Sequence, residues 1–308
     1  MKTRKRIIVG SRSSKLATIQ AEGVLAKLQG LNPELEFSLA TIITRGDRER
    51  KVPLERMAGV GVFVKELEEA LLERKIDLAV HSLKDMPTET PEGFRLAAVT
   101  ERVDPRDVLV SSLGRLAELP PGARIGTGSQ RRAVQLLAQR PDVETRPLRG
   151  NIDTRLRKAA SVELDGVLLA AAALIRLGME SMITEYLPTD IFVPAVGQGA
   201  LGIEIRDADA QMGELVAPLN HEPSWLSVTA ERAFLRSLGG GCRAPIAALG
   251  TLRNNALHLR GMVADPVRGD ILRAEMEGNA LAAEEAGYRL AQQMMELGAA
   301  SLIERVGV

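Results

Sequence analysis

Short apolar segments alternate with helical segments along the first part of the chain, and this alternation limits the fold most. RIIVGSR (6–12), FSLATIIT (37–44) and IDLAVHS (76–82) have the length and composition of strands. Helices are predicted between them, over 13–30 and 62–75. Strands that alternate with helices indicate a parallel α/β sheet, so the sequence predicts that the chain begins with an α/β unit.

The same pattern starts again after DPRD (104–107). It runs through DVLVSS, RIGTGS with the helix SQRRAVQLLAQR, VETRPLRG with NIDTRLRKAA, and LDGVLLAAAALIRLG. From Ile246 to Gly278 the apolar segments are short and alternating, which is typical of an antiparallel sheet, and 279–297 follows as an amphipathic helix. The sequence thus predicts a second α/β unit and a smaller α+β unit.

Charge and cysteine content exclude several classes of protein. The 40 basic residues balance the 40 acidic ones, which argues against a nucleic-acid coat, and no apolar segment is long enough to span a bilayer. MKTRKRIIVGSR lacks an apolar signal region, so we expect a cytoplasmic protein. The three histidines are widely spaced and there is one cysteine, so we expect neither a metal site nor a disulfide.

Polar and basic side chains cluster where predicted strands end and helices begin. Helix N-termini at the carboxyl ends of parallel strands bind anions, and arginines add bidentate recognition of carboxylates or phosphates. A salt-bridge role is equally reasonable for any one arginine. Their repeated placement favours a ligand with several anionic groups, contacted by residues at three such junctions: Arg12, Ser14, Thr127, Ser129, Arg131, Arg132, Arg149, Gly150, Asn151 and Arg155.

Two further residues have both a structural and a chemical interpretation. Asp85, in HSLKDMP after the third strand, is either a turn cap or a carboxylate in the binding crevice. Cys242, in GGGCRAP, is either a buried apolar side chain or a reactive thiol, and its flanking glycines favour a loop that bends sharply or approaches a ligand. The residues alone leave both alternatives open.

Taken together, the motifs resemble the porphobilinogen deaminase (hydroxymethylbilane synthase) family of tetrapyrrole biosynthesis. The resemblance covers nearly the whole chain, in order: IIVGSRSSKLA, ITRGD, FVKELEEALL, DLAVHSLKDMP, GTGSQRR, LRGNIDTRL, PAVGQGALGIE, TAERAFL and GGGCRAPIA. No single motif is enough to assign the family, but the order and spacing of all these motifs together are highly specific.

This resemblance implies a transferase that joins four porphobilinogen molecules head to tail, releases ammonia, and frees a linear tetrapyrrole with water. It implies a dipyrromethane cofactor that is bound to a cysteine through a thioether, and Cys242 is the only cysteine in the chain. It also implies that Asp85 is a catalytic carboxylate. By resemblance the cofactor is also bound by Lys84, Ser129, Arg131, Arg132, Arg149, Gly150, Asn151 and Arg155, and the substrate by Arg12, Ser14, Ser82, Thr127, Arg176 and Gln198.

The implied fold is α/β with three domains: residues 1–99 with 200–217, residues 105–193, and residues 222–308. The first two resemble bilobal periplasmic-binding-protein-like domains, and the third is a small α+β domain that carries the cysteine loop. The implied state is a cytoplasmic monomer without a nucleic-acid or membrane partner. The alternatives are a non-catalytic bilobal carboxylate binder and, less favoured, a nucleotide-handling α/β enzyme.

Three departures from the family pattern bear on the site. Val60 stands where the family commonly has a lysine, Gly128 and Gln130 alter its GTSSLRR motif, and GGGCRAP carries Gly239 and Arg243 in place of commoner residues. A cationic contact and one hydroxyl contact are therefore in question. The loop from about Lys51 to Val60 is predicted to act as a lid, with hydrogen exchange faster than in the flanking strands.

Overall fold

A computed structural model describes residues 6–48, 63–239, 245–254 and 256–306. Cys242, Val60, Arg243 and the predicted lid lie outside these residues. Two compact units are formed, Met1–Arg102 with Ala200–Trp225, and Val103–Gly199 with Leu226–Val308. The predicted division into three domains stays a prediction, because the second predicted domain and the third from Leu226 onward fall within one of these units.

The strands and helices follow in chain order. The strands are β1 (Arg6–Arg12), β2 (Glu36–Ile42), β3 (Leu78–Ser82), β4 (Phe94–Val99), β5 (Asp107–Val110), β6 (Arg124–Thr127), β7 (Glu144–Pro147), β8 (Gly166–Ala170), β9 (Glu185–Tyr186), β10 (Leu201–Arg206), β11 (Ile246–Arg253), β12 (Ala256–Ala264) and β13 (Ile271–Asn279). The helices are α1 (Lys15–Leu31), α2 (Arg45–Arg48), α3 (Lys65–Leu72), α4 (Gln130–Gln139), α5 (Ile152–Ala159), α6 (Ala171–Arg176), α7 (Ala210–Val216), α8 (Glu222–Ser237), α9 (Ala283–Glu296) and α10 (Ala299–Val306).

The first unit contains a mixed sheet with the order β2-β1-β3-β10-β4. β1 is parallel to β2 and β3, as the sequence predicts, but β10 is antiparallel to both β3 and β4. The parallel arrangement predicted for the strands at 6–12, 37–44 and 76–82 is therefore confirmed in β1, β2 and β3. The antiparallel direction of β10 was not predicted, since β10 joins this sheet after the chain has built part of the other unit. Buried aliphatic residues of β1, β3 and β10 pack against α1 and α7.

A second mixed sheet, with the order β7-β6-β8-β5-β9, lies in the other unit. β6 is parallel to β7 and β8, whereas β5 is antiparallel to β8, with Asp107 opposite Ala170. The second α/β unit that the sequence predicts is therefore present, with β6, β7 and β8 parallel, whereas the antiparallel direction of β5 was not predicted. Asp107, the first residue of β5, consequently lies at the edge where β8 ends.

The region after 245 forms a three-stranded antiparallel sheet, β11-β12-β13, as the sequence predicts. Buried residues of α9, including Leu290 and Met294, pack on this sheet beside Phe234 of α8. The α/β class and the small α+β region are therefore confirmed. Within the described ranges, no helix is long and apolar enough to cross a membrane, and no cluster of three His, Cys, Asp or Glu side chains could hold a metal.

Candidate active site

Asp85 lies just beyond the carboxyl end of a buried strand. β3 ends at Ser82, and the chain then makes a short 3-10 turn over Leu83–Asp85, closed by the Met86 N–H donating to Leu83 O at 3.1 Å. The buried Leu83 side chain fixes this turn, while the Asp85 carboxylate is 33% exposed. The structure thus places Asp85 where the sequence predicts, and leaves its carboxylate accessible to a ligand.

The Arg12 guanidinium is held beside Asp85 by two groups, the Asp47 carboxylate and the Phe63 ring. Arg12 is the last residue of β1, and its Nη2 donates to Asp47 Oδ1 at 2.7 Å while its Nε donates to Asp47 Oδ2 at 3.3 Å. The Phe63 ring lies 3.9 Å from the guanidinium carbon, a cation–π contact. Asp85 Oδ2 is 3.7 Å from Arg12 Nη1. Arg12 therefore has a fixed position between two carboxylates.

Asp47 is the buried partner in this arrangement. Burial raises the pKa of Asp47, but the hydrogen bond and charge of Arg12, together with Thr44, outweigh burial and leave this pKa below its usual value. The Thr44 hydroxyl donates to Asp47 Oδ2 at 2.7 Å. Sequence reasoning missed both Asp47 as the partner of Arg12 and Phe63 beside it.

The other predicted residues of the first unit lie at the same edge of the sheet. Ser14 caps α1 by accepting from the Ala17 N–H at 3.3 Å. The Ser82 hydroxyl donates to Gln20 Oε1 at 3.1 Å, and Lys84 is exposed. These positions suit contacts to an anionic ligand, while the ligand roles themselves stay predictions.

In the second unit, β6 leads directly into the N-terminus of α4. β6 ends at Thr127, whose hydroxyl oxygen accepts from the Ser129 N–H at 3.2 Å. Ser129 is the N-cap of α4 and accepts from the Arg132 N–H. A capped helix N-terminus at a strand end is a standard setting for anions. The predicted junction is therefore present, with both hydroxyls in it.

The next junction, from β7 to α5, is built in the same way. Asn151 caps α5 by accepting from the Thr154 N–H at 3.0 Å, and Gly150 has φ +113°, a conformation that favours glycine. Arg155 Nε donates to Gly150 O at 2.9 Å, which holds the arginine against the loop. Arg149 is half-buried beside them. Four predicted cofactor-binding residues are thus brought together at one strand-to-helix junction.

Arg131 and Arg132 have a different environment from the one expected of ligand-binding arginines at a surface. Both are buried and both contact the Asp107 carboxylate, through Arg131 Nη1 at 2.6 Å and Arg132 Nε at 2.9 Å. Gln198, predicted to bind substrate, also donates to Asp107 from Nε2 at 2.9 Å. Asp107 was missed by sequence reasoning, although a carboxylate at the start of a buried apolar strand is a signal that partners must exist.

Arg176, at the end of α6, is a cation with little solvent around it. Its Nη2 donates to Gly199 O at 2.8 Å, and desolvation lowers the pKa of Arg176 to about 10. A desolvated guanidinium gains more from an anionic ligand than an exposed one does, because the local dielectric is lower. Its setting therefore supports the predicted substrate contact.

Gly128 is explained by a close approach of two loops. A Cβ at this position would lie 2.4 Å from Leu148 O, closer than any carbon tolerates. Leu148 lies in the turn after β7, so a side chain at Gly128 would push apart the two junctions that carry Ser129 and Arg149. The close packing of these two junctions therefore leaves no room for a side chain, and so for a hydroxyl, at position 128.

Comparison with protein families decides the family. Residues 7–214 match the model described as "Porphobilinogen deaminase, dipyromethane cofactor binding domain", and residues 225–296 match "Porphobilinogen deaminase, C-terminal domain". The chain belongs to the porphobilinogen deaminase family. The porphobilinogen deaminase of Syntrophus aciditrophicus is 47% identical over 97% of this chain and 98% of its own length. That of Pelotomaculum thermopropionicum is 48% identical over 98% of this chain and 97% of its own length.

Among solved structures, the chain shows weak likeness to periplasmic proteins. The periplasmic aliphatic sulphonate binding protein SsuA of Escherichia coli superposes with a TM-score of 0.41 at 13% identity, covering 99% of this chain and 92% of its own. The Bordetella pertussis BvgS periplasmic VFT2 domain has a TM-score of 0.40 at 15% identity, covering 70% and 86%. Likeness of this size carries no argument about ligand or function.

Proposed function

We propose that this chain is a hydroxymethylbilane synthase, the activity of the porphobilinogen deaminase family. It condenses four porphobilinogen molecules head to tail, releases one ammonia at each addition, and frees the linear tetrapyrrole by hydrolysis. The observation that carries the proposal is the family match over 7–214 and 225–296, which includes the strand end bearing Asp85. Such an enzyme acts in tetrapyrrole synthesis.

Asp85 is proposed as the catalytic carboxylate. Loss of ammonia from porphobilinogen leaves a cation, and attack by a pyrrole carbon creates another. A fixed carboxylate next to these centres stabilises the developing positive charge, and does so more strongly where water is scarce. The turn anchored by Leu83 fixes the Asp85 backbone, and Arg12 at 3.7 Å limits where its carboxylate can point.

The family cofactor, a dipyrromethane, fits the charge of the residues described. Dipyrromethane carries acetate and propionate groups, and the buried cluster of Arg131, Arg132 and Asp107 contains two cations for one anion. We propose that the sulfur of Cys242 tethers it and that its carboxylates are held by Lys84, Ser129, Arg131, Arg132, Arg149, Gly150, Asn151 and Arg155. When bound, the cofactor supplies the pyrrole carbon to which the first substrate is joined.

Substrate carboxylates are proposed to contact a separate group of side chains: Arg12, Ser14, Ser82, Thr127, Arg176 and Gln198. The desolvated Arg176 and the serine and threonine hydroxyls at strand ends support this role. We further propose that the enzyme works as a cytoplasmic monomer without nucleic-acid or membrane partners, which is supported by its balanced charge and single cysteine.

Intact-mass analysis with a turnover assay tests the proposed function. We expect the purified chain to carry a covalent adduct of two pyrrole units, to gain further units with porphobilinogen, and to release one ammonia per unit. A carboxylate binder of the same fold would bind porphobilinogen without gaining covalent mass. Bare polypeptide mass with no ammonia release would therefore reject the proposal.

Arg149→Leu is expected to slow chain growth or cofactor assembly. A hydrogen bond to a charged group contributes about 1.5–3 kcal/mol, which corresponds to roughly 10- to 150-fold in rate or affinity. Quench-flow mass spectrometry of each elongation step measures the effect. Arg146→Leu is the matched control, because Arg146 lies on β7, pairs with Glu144 and is outside the proposed site. Equal elongation in the two variants would contradict a carboxylate-binding role for Arg149.

A further inference from the structure

Asp107 is a fully buried carboxylate at the active edge of the second sheet. It is the first residue of its strand, which would place it at the far edge of a parallel sheet. β5 is antiparallel to β8, however, and Asp107 pairs with Ala170, the last residue of β8. Asp107 therefore lies at the edge where β6 and β8 deliver Thr127, Ser129 and the start of α6.

Three side chains from two other segments donate to the two oxygens of Asp107. Arg131 donates from Nη1 to Oδ2 at 2.6 Å and from Nη2 to Oδ1 at 3.3 Å. Arg132 Nε and Gln198 Nε2 each donate to Oδ1 at 2.9 Å. The carboxylate is thereby saturated, and its burial is fully compensated.

The same arginines are fixed from a second direction by main-chain carbonyls. Arg131 Nη1 donates to Val193 O at 2.7 Å, and Arg132 Nη1 donates to Leu168 O at 3.2 Å. Arg132 Nη2 also donates to Gln198 Oε1 at 3.4 Å. Two long side chains that could adopt many rotamers are therefore held in one arrangement, which saves a ligand the entropy of ordering them.

The cluster of Asp107, Arg131 and Arg132 contains more positive than negative charge. Burial raises the pKa of Asp107, but the charges of Arg131 and Arg132 outweigh it and hold that pKa well below its usual range. Burial lowers the pKa of Arg132, Asp107 opposes this shift, and Arg131 adds to it. One carboxylate between two guanidinium groups leaves one positive charge without a counter-charge in the group, and buried charges of this kind favour an anionic partner.

We propose that Asp107 is a positioning residue, which holds Arg131 and Arg132 side by side at the edge of the sheet. The three side chains together then carry one net positive charge, which binds one carboxylate of the cofactor. The inference rests on the proposed function. Without Asp107, the two guanidinium groups would repel each other in a buried site and separate. The competing interpretation is an ion pair that only stabilises the fold.

Cofactor loading and thermal stability, measured on the full chain, separate the two interpretations. Asp107→Asn removes the charge and keeps the size. On incubation of apoprotein with porphobilinogen, we expect its adduct mass to appear roughly 10- to 100-fold more slowly than in the wild type, the effect of a lost charged hydrogen bond. Asp165→Asn is the control, because it breaks an ion pair with Arg124 at 3.0 Å that lies where β6 and β8 begin, at the edge of the sheet away from Asp107. This variant should load the cofactor at the wild-type rate.

A double variant keeps the test decisive if Asp107→Asn is unstable. Asp107→Asn with Arg132→Met removes the repulsion between the arginines, so its melting temperature should exceed that of the single variant while loading stays slow. Wild-type loading by either folded variant would overturn the proposal. Unfolding of both would also overturn it, because Asp107 would then act on the fold alone. Absence of any adduct in the wild type would instead reject the proposed function.

Discussion

Asp85→Asn is expected to yield a folded protein whose turnover is lower by at least about 100-fold. The change keeps the size and part of the hydrogen bonding but removes the negative charge. Loss of a group that stabilises charge in the transition state costs about 2.7–4 kcal/mol of barrier, or roughly 100- to 1000-fold in rate. If Asp85 also moves the proton that leaves with ammonia, the loss is larger.

Steady-state turnover and the melting temperature of Asp85→Asn should be measured together. A residue that only capped its turn would cost about 1 kcal/mol of stability and little rate. Glu89→Gln is a suitable control, because it removes an exposed carboxylate four positions further along the same connection. A variant that melts lower but keeps near-wild-type turnover would make Asp85 structural, and Asp47 would be the next carboxylate to examine.

Cys242→Ala is expected to abolish both the covalent adduct and turnover. The chain contains no other cysteine, so no second thiol can form the thioether. Intact mass should equal that of the bare polypeptide, and ammonia release should fall to background. Because the substitution removes only the sulfur atom, we expect the melting temperature to change only by the contribution of the missing cofactor.

A thiol titration of the wild type in denaturant provides the complementary control. Loaded wild-type protein should expose no titratable thiol, and apoprotein should expose one. Full activity in Cys242→Ala, or a free thiol in fully active wild type, would show that the cofactor is not attached through this sulfur.

Local sequence was sufficient to predict the junctions of the two α/β sheets. Ser129 and Asn151 are helix N-caps, and Asp85 follows its strand in a short turn, as the patterns predict. These features depend on neighbours within a few residues, whose preferences are local. The strand Phe94–Val99 was not predicted, although GFRLAAV has the composition of a short strand.

Strand direction and long-range partners could not be obtained in this way. The apolar sequence of β5 is equally compatible with either direction, so the position of Asp107 at the edge where β8 ends depends on pairing with β8, far along the chain. Arg12 likewise meets Asp47, 35 residues later, and Phe63 beyond it. Sequence reasoning therefore identified arginines at the site and missed the acidic and aromatic residues that hold them.

The placement of β10 has a consequence for how the protein is made. β10 lies between β3 and β4, but the ribosome adds it roughly 100 residues after β4. At about 5–20 residues per second, β3 and β4 wait on the order of 5–20 s with unpaired edges, which are templates for pairing with other chains. A nascent chain that stops near residue 102 therefore lacks the middle strand of its first sheet, and translation past residue 206 is required before the turn that carries Asp85 has its native neighbours.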